Sequence, residues 1–193
     1  MLILPILRLR KNQDKSRGFT LIELAAVIFV LSLIATISLP VIRSVTGLNL
    51  KTGALRLSSS LRYVFNLAAM DRSNLYRISI KIGKGKWAIE RMDNAKLSQG
   101  VVEYVEDKSS YGSGLSLPKG VEFRDLLLDG ERISPEITET AYINFMPSGY
   151  VPLLFVYLKD TNGGIYTVTI NSLTGITKIF DKEVVPDDLY KKS

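Results

Sequence analysis

The residues whose types and spacing could do chemistry stand near the front of the chain, in Gly18-Phe19-Thr20-Leu21-Ile22-Glu23. From Phe19 to Ile42 the only charged residue is Glu23. A carboxylate at the centre of a membrane helix costs on the order of 2.5–3.5 kcal/mol on insertion scales, so an acid in such a run marks a function when a partner can be named. Cutting the chain after Gly18 supplies one: Phe19 then starts the chain with a positively charged amine in the same apolar surroundings. Within one helix the amine and the acid lie four residues apart and can share a face. Between parallel, staggered helices the amine of one copy can meet the acid of the next. Either pairing offsets the desolvation that each charge suffers alone. The second also enforces register, because any other stagger leaves a buried charge unpaired. The chemistry indicated is charge pairing rather than catalysis.

Enzyme readings are poor elsewhere too. The chain has no histidine and no cysteine. That removes Ser-His and Cys-His nucleophile systems, imidazole bases and the common zinc sites, and it rules out a disulfide. No glycine loop has the spacing that cradles a nucleotide phosphate. Asp125, Asp129 and Glu131 invite a calcium reading, but the ligand spacing of an EF-hand is missing, and a solvated acidic loop is the plainer expectation. No cofactor is indicated.

The element that must position Phe19 and Glu23 is the apolar run itself. About 20 apolar residues cross a ~30 Å hydrocarbon core as a helix, so residues 19–42 suffice with some tilt. The net charge of +6 sits mostly ahead of this run. Arg8, Arg10, Lys11, Lys15 and Arg17 against Asp14 contribute +4, leaving +2 for the rest, so the high pI is no argument for nucleic acid. Basic flanks stay cytoplasmic, which places the remainder of the chain on the far side of the membrane. A secretory signal peptide fits less well, because the run exceeds a 7–15-residue apolar core and no small-x-small cleavage site follows. A plain uncleaved signal-anchor leaves Glu23 unexplained.

The segment Ser16-Arg-Gly-Phe-Thr-Leu-Ile-Glu-Leu24 resembles the cleavage and methylation signal of type IV prepilins and type II secretion pseudopilins. The resemblance implies cutting between Gly18 and Phe19 by prepilin peptidase, N-methylation of Phe19, and a Glu23 that guides subunit docking. Pro40 falls where this family often kinks its helix. The apolar start, residues 1–7, departs from the short basic leaders of the group. The lack of cysteine counts against a typical major pilin.

Pro40 near the end of the span, with Gly47 and Gly53 beyond it, predicts a pliable region, since proline removes a helix donor and each glycine costs ~1 kcal/mol of helix propensity relative to alanine. Leu50, Ala54, Leu57, Leu61, Val64, Phe65 and Ala68 then recur at spacings of three and four, an amphipathic stripe that should pack on a sheet. Lys51, Arg56, Arg62 and Asn66 fall off it. Asp71 to Asn74 end the helix. The rest reads as short strands: 75–82, with Tyr76, Ile78 and Ile80 on one face; 86–92, with Trp87 and Ile89; 101–106; one around Val121 and Phe123 within 115–128; 141–145; 153–159; 165–170; and 176–180. Turns are read at 83–85, 129–130, 147–149, 161–164 and 171–175. Residues 108–114 read as a loop, and the charged tail from Asp181 as frayed. The predicted fold is α+β: a long N-terminal helix followed by a pilin-like antiparallel β-sheet or sandwich. The predicted segments are a leader (1–18), a helix (19–72), a periplasmic β domain (73–180) and a charged tail (181–193).

The C-terminal half sharpens the resemblance. Ile143-Asn-Phe145-Met-Pro147-Ser-Gly149, two hairpin strands and then Thr174-Gly175 are similar to the GspH/FimT group of minor pseudopilins and minor pilins. Two roles are implied. One is a minor pseudopilin of a type II secretion pseudopilus, anchored in the bacterial inner membrane with its domain in the periplasm. Its partners would be prepilin peptidase, other pseudopilins or pilins, and the inner-membrane assembly platform. The other is a FimT-like minor pilin that binds DNA for uptake, which needs a basic patch. Here Lys178, Lys182, Lys191 and Lys192 are offset by Asp181, Glu183, Asp187 and Asp188, so the secretion role is favoured. The loops at 109–114 and 129–136 are the expected contact surface.

Overall fold

The computed structural model describes residues 19–93, 97–108 and 114–190; the side chains of 35–46, 189 and 190 fall outside that description. The chain divides after Pro40 into two compact units. The first contains the front of helix α1 (Leu21–Met70). The second holds the back of that helix and, among the described residues, nine strands.

In the second unit the stripe read from the sequence is the buried face of the helix. Leu50, Ala54, Leu57, Leu61, Val64 and Ala68 are all buried, Phe65 is half-buried, and Lys51, Arg56, Arg62 and Asn66 are exposed. Each such Leu or Val adds about 1.5–3 kcal/mol over leaving it in water, and this burial outweighs the β-branching and the glycine in the segment. The helix ends at Asp71, whose carboxylate accepts hydrogen bonds from Ser73 N, Asn74 Nδ2 and the Tyr76 hydroxyl. The Tyr76 and Asn74 bonds hold the Asp71 carboxyl below the usual carboxylate range.

The strands form two antiparallel sheets. The first has the order β3-β2-β1-β6, from β1 (Tyr76–Lys81), β2 (Lys86–Met92), β3 (Tyr104–Glu106) and β6 (Thr140–Phe145). The second has the order β5-β4-β7-β8-β9, from β4 (Val121–Leu128), β5 (Glu131–Ile133), β7 (Leu154–Asp160), β8 (Ile165–Ile170) and β9 (Thr177–Phe180). One core joins the helix stripe to both sheets through Ile78, Ile80, Ile89, Phe145, Leu126 and Val156. Two hydrogen bonds tie the helix to each sheet in turn. Trp87 Nε1 of β2 donates to Ser60 Oγ at 3.0 Å, and Ser58 Oγ donates to Thr177 Oγ1 of β9 at 2.7 Å. The fold is therefore α+β, a helix followed by antiparallel sheets.

Several local expectations change. The strand read at 101–106 covers only Tyr104–Glu106, and that around Val121 starts at Val121, because residues 117–120 turn through Pro118 and Gly120. The Asp129-Gly130 turn has φ of 50° and 89°, as a two-residue hairpin requires, and it leads into β5 rather than a loop. Gly53 does not loosen the helix. An added Cβ would sit 3.2 Å from Leu117 and from Pro118, so the missing side chain lets the helix backbone approach that segment.

The tail is not frayed from Asp181. Val184 is buried, packed with Phe155 and Tyr157 on the face of β7 opposite the main core. Tyr157 donates from its hydroxyl to Val184 O at 3.0 Å, and Thr167 Oγ1 donates to Lys182 O at 2.6 Å while accepting from Val184 N at 3.1 Å. A short helix, α2 (Pro186–Tyr190), follows. The physical reason lies in β7, whose residues 154–158 are all buried. A strand apolar on both faces needs cover on both, and residues 181–185 form the outer cover.

Candidate assembly site

Gly18 and the leader lie outside the described residues. Phe19 is 87 % exposed and precedes the helix. Thr20 is the helix cap: its carbonyl accepts from Leu24 N at 3.2 Å. Its hydroxyl accepts from Glu23 N at 3.2 Å and donates to Glu23 Oε2 at 3.1 Å. Glu23 Oε2 in turn accepts from Thr20 N at 3.1 Å. This is the reciprocal capping box of a Thr-x-x-Glu helix start, and a negative charge in the first turn also favours the helix dipole. In the described chain Glu23 is therefore engaged by Thr20, three residues before it, and Phe19 precedes the helix. The Thr-x-x-Glu spacing was present in the sequence and would have identified Thr20.

Behind the cap the helix is bare. Leu21, Ile22, Leu24, Val27, Ile28, Phe29, Val30, Leu31, Leu33 and Ile34 are all at least 50 % exposed. Consecutive positions from Val27 to Leu31 point in every direction around the axis, so no single face could bury them. An all-round apolar helix needs lipid or other helices as its surroundings. Among the described residues no helix is long and apolar enough to cross a membrane. The second half of the predicted span, with Pro40, falls where side chains are outside the description, as does any bend at Pro40.

The other residues singled out by sequence form a structural junction. Phe145 is buried at the end of β6. Pro147-Ser-Gly149 turns the chain out of the first sheet: Gly149 has φ of 79° and donates to Met146 O at 3.0 Å, and Met146 N donates to Tyr150 O at 2.9 Å. Val151 N then bonds to Ser172 O at 3.1 Å, which fastens this crossover to the β8–β9 turn. In that turn Asn171 Oδ1 accepts from Leu173 N and Thr174 N, and Gly175, at φ of 65°, packs so closely against the ring of Phe65 on α1 that an added Cβ would overlap it. The two motifs thus meet in space and join helix, crossover and hairpin.

The acidic group does not gather. Asp125 is buried on β4 between Arg124 at 3.1 Å and Arg132 at 3.4 Å, and Asp129 caps the β7 entry by accepting from Leu153 N. Asp125 is therefore not part of a solvated loop. Sequence reading missed the cluster it belongs to. Arg124 Nη1 and Nη2 grip both oxygens of Glu183 at 2.7 and 2.6 Å, and the guanidiniums of Arg124 and Arg132 lie over the Tyr157 ring at 4.8 and 5.8 Å. The bond to Arg124 holds the Glu183 carboxyl below its usual range and raises the Arg124 guanidinium above its own. Burial pushes the Tyr157 phenol up. No short-range pattern links residues 124, 132 and 183.

Comparison with known proteins bears on the front of the chain. Residues 13–39 match the model of the prokaryotic N-terminal methylation motif. No curated protein and no solved structure matches the chain. The motif implies a precursor anchored in the inner membrane, processed by prepilin peptidase and assembled with pilins. The front of the chain thus carries the N-terminal methylation motif, and a domain of two antiparallel sheets follows it.

Proposed function

We propose that the chain is a structural minor pseudopilin of a type II secretion pseudopilus. Prepilin peptidase cuts it between Gly18 and Phe19 and methylates the new Phe19 amine. Glu23 then receives a neighbouring subunit's amine and sets the stagger of the filament. The observation that carries this reading is the division of labour along α1. Its front is apolar on every side and bare, whereas the stripe from Leu50 to Ala68 is wholly consumed by the β domain. A helix that needed only to hold a domain together would not need its first four turns. The resemblance of the 145–149 and 174–175 segments to minor pseudopilins supports the secretion machine.

The DNA-uptake reading needs free cations. Arg124 and Arg132 on the second sheet are neutralised by Glu183 and Asp125, and Lys159 is paired with Glu122 at 3.1 Å.

Intact mass from cells with and without prepilin peptidase tests the processing step. A peptidase-dependent chain starting at methylated Phe19 is expected, and a full-length chain in both cells would refute it. Glu23→Ala should be cut normally yet fail to enter filaments; normal incorporation would remove Glu23 from assembly. Deletion should abolish exoprotein export and leave DNA uptake intact, and the opposite pair of phenotypes would move the protein to a pilus.

A further inference from the structure

On the outer face of the first sheet, away from the helix, a cavity of about 300 Å³ is lined by Ser79, Lys81, Lys86, Ala88, Glu106 and Ser116, among others. Two of its features are unfavourable in the free protein. The Ser79 hydroxyl is buried (the residue is 2 % exposed) and has no hydrogen-bond partner among the described residues. A buried hydroxyl left unpaired loses its water without replacement. Beside it, Lys81 and Lys86 stand directly opposite one another on β1 and β2. Like charges in that relation repel, and neither lysine has an ion-pair partner among the described residues. Nearby charges are already matched: Arg77 with Glu90 at 2.6 Å, Lys84 with Glu139 at 2.8 Å.

An acceptor placed between the lysines and above Ser79 would resolve both features. It would take a hydrogen bond from the hydroxyl and lie between two ammonium groups, where charge-assisted bonds are strongest. Two lysines and Glu106 leave the lining with a net charge of +1, which suits a monoanion better than a dianion. A cavity of this size is at the small end of ligand sites and holds a group of amino-acid size. We infer that this cavity is a binding site for a carboxylate group presented by a peptide. The carboxylate comes from a chain terminus or from an acidic side chain. The site is built from residues of the first sheet and the 114–116 segment, so it does not depend on the pilin reading.

The test uses the full chain, ¹⁵N-labelled, in detergent micelles, with shifts of the Ser79, Ala88 and Ser116 amides as readout. N-acetylalanine presents a terminal carboxylate, and the α-amide of N-acetylaspartate presents an acidic side chain. N-acetylalaninamide is the neutral control, and inorganic phosphate is the dianion. One of the two carboxylates should shift these amides saturably with a millimolar Kd, and the tighter of the two identifies the source. The neutral amide should have no effect. Lys81→Gln with Lys86→Gln should weaken binding at least tenfold. Ser79→Ala should also weaken it about tenfold, as loss of a hydrogen bond to a charged group does, yet melt no lower than the parent, since it removes an unpaired hydroxyl. The assignment is overturned if neither carboxylate shifts the amides at about 10 mM, or if phosphate binds as tightly. It is also overturned if Ser79→Ala lowers the melting temperature, which would mean that the hydroxyl already has a partner.

Discussion

Gly175 is the point at which a single methyl group should do the most damage. It has φ of 65°, in the left-handed region, and an added Cβ there would overlap the Phe65 ring of α1. Two costs arise. A left-handed residue with a side chain costs roughly 1–2 kcal/mol. Forcing a methyl into a packed ring contact costs about 1–3 kcal/mol more, because the ring must leave its rotamer or the hairpin must lift from the helix. Gly175→Ala should therefore destabilise by about 2–5 kcal/mol, a large share of the ~5–15 kcal/mol typical of a domain. Gly163 provides the control. Its φ is 82°, but nothing lies within 4 Å of an added Cβ, so Gly163→Ala should cost only the backbone share, roughly 1–2 kcal/mol. Urea titration of the full chain in detergent micelles, followed by fluorescence of the single tryptophan, Trp87, gives both values. Unchanged m-values would confirm that stability alone moved. In a Phe65→Ala background the cost of Gly175→Ala should shrink to that of Gly163→Ala, a coupling of about 1–3 kcal/mol. If Gly175→Ala costs no more than Gly163→Ala in the parent, the helix–hairpin contact does not constrain this position and the reasoning fails.

Other perturbations give smaller, distinct signatures. Ser60→Ala should cost about 1–3 kcal/mol, because it leaves the buried Trp87 indole N–H without an acceptor; a change in Trp87 emission at constant fold would report the lost bond, and unaltered stability would refute it. Glu183 titrates below its ordinary value of 4.5 because Arg124 holds it ionised. Its stabilisation is therefore present above about pH 4.5 and lost as pH falls through the lowered folded value. Glu183→Gln should remove that part of the acid dependence in a pH series of melting temperatures, and a parallel curve would count against the clasp. Thr20→Ala should loosen the helix start by ~1 kcal/mol, read as about fivefold faster amide exchange at the first turn of α1 in micelles; no change would mean that the cap is not formed there.

How much of this was legible in the sequence depends on range. The stripe Leu50 to Ala68 and the alternation of Tyr76, Ile78 and Ile80 encode burial in every third, fourth or second residue, so helix face and strand face could both be read directly. Turns with glycine or Asn-Gly chemistry were legible for the same local reason. What escaped is long-range. β5 has three residues, too few to show a period, and exists because the Asp129-Gly130 turn presents it to β4. The 181–185 strap is charged and reads as solvated; only the five buried residues of β7 say that something must lie over Phe155 and Tyr157. Asp125 read as part of an acidic loop because its two arginine partners lie at its own side and across the hairpin. Gly53 read as a weak point because propensity counts the missing side chain as a loss, whereas here it admits Leu117 and Pro118.

On the proposed assembly reading, Glu23 would combine a local role and an assembly role in one carboxylate. Read as a lone charge in an apolar run, it demands a distant partner. The capping box gives it a near one, since Oε2 takes both Thr20 donors. An ionised carboxylate has roughly four acceptor positions, and among the described residues Oε1 carries no hydrogen bond. The box therefore does not compete with an incoming amine; it fixes the rotamer in which the free oxygen waits. Cleavage after Gly18 would leave Thr20 and Glu23 untouched, so the same geometry would persist before and after processing. Only the charge of Phe19 would change, from a peptide bond to an ammonium. In this arrangement processing creates the donor, while the acceptor is already in place in the precursor.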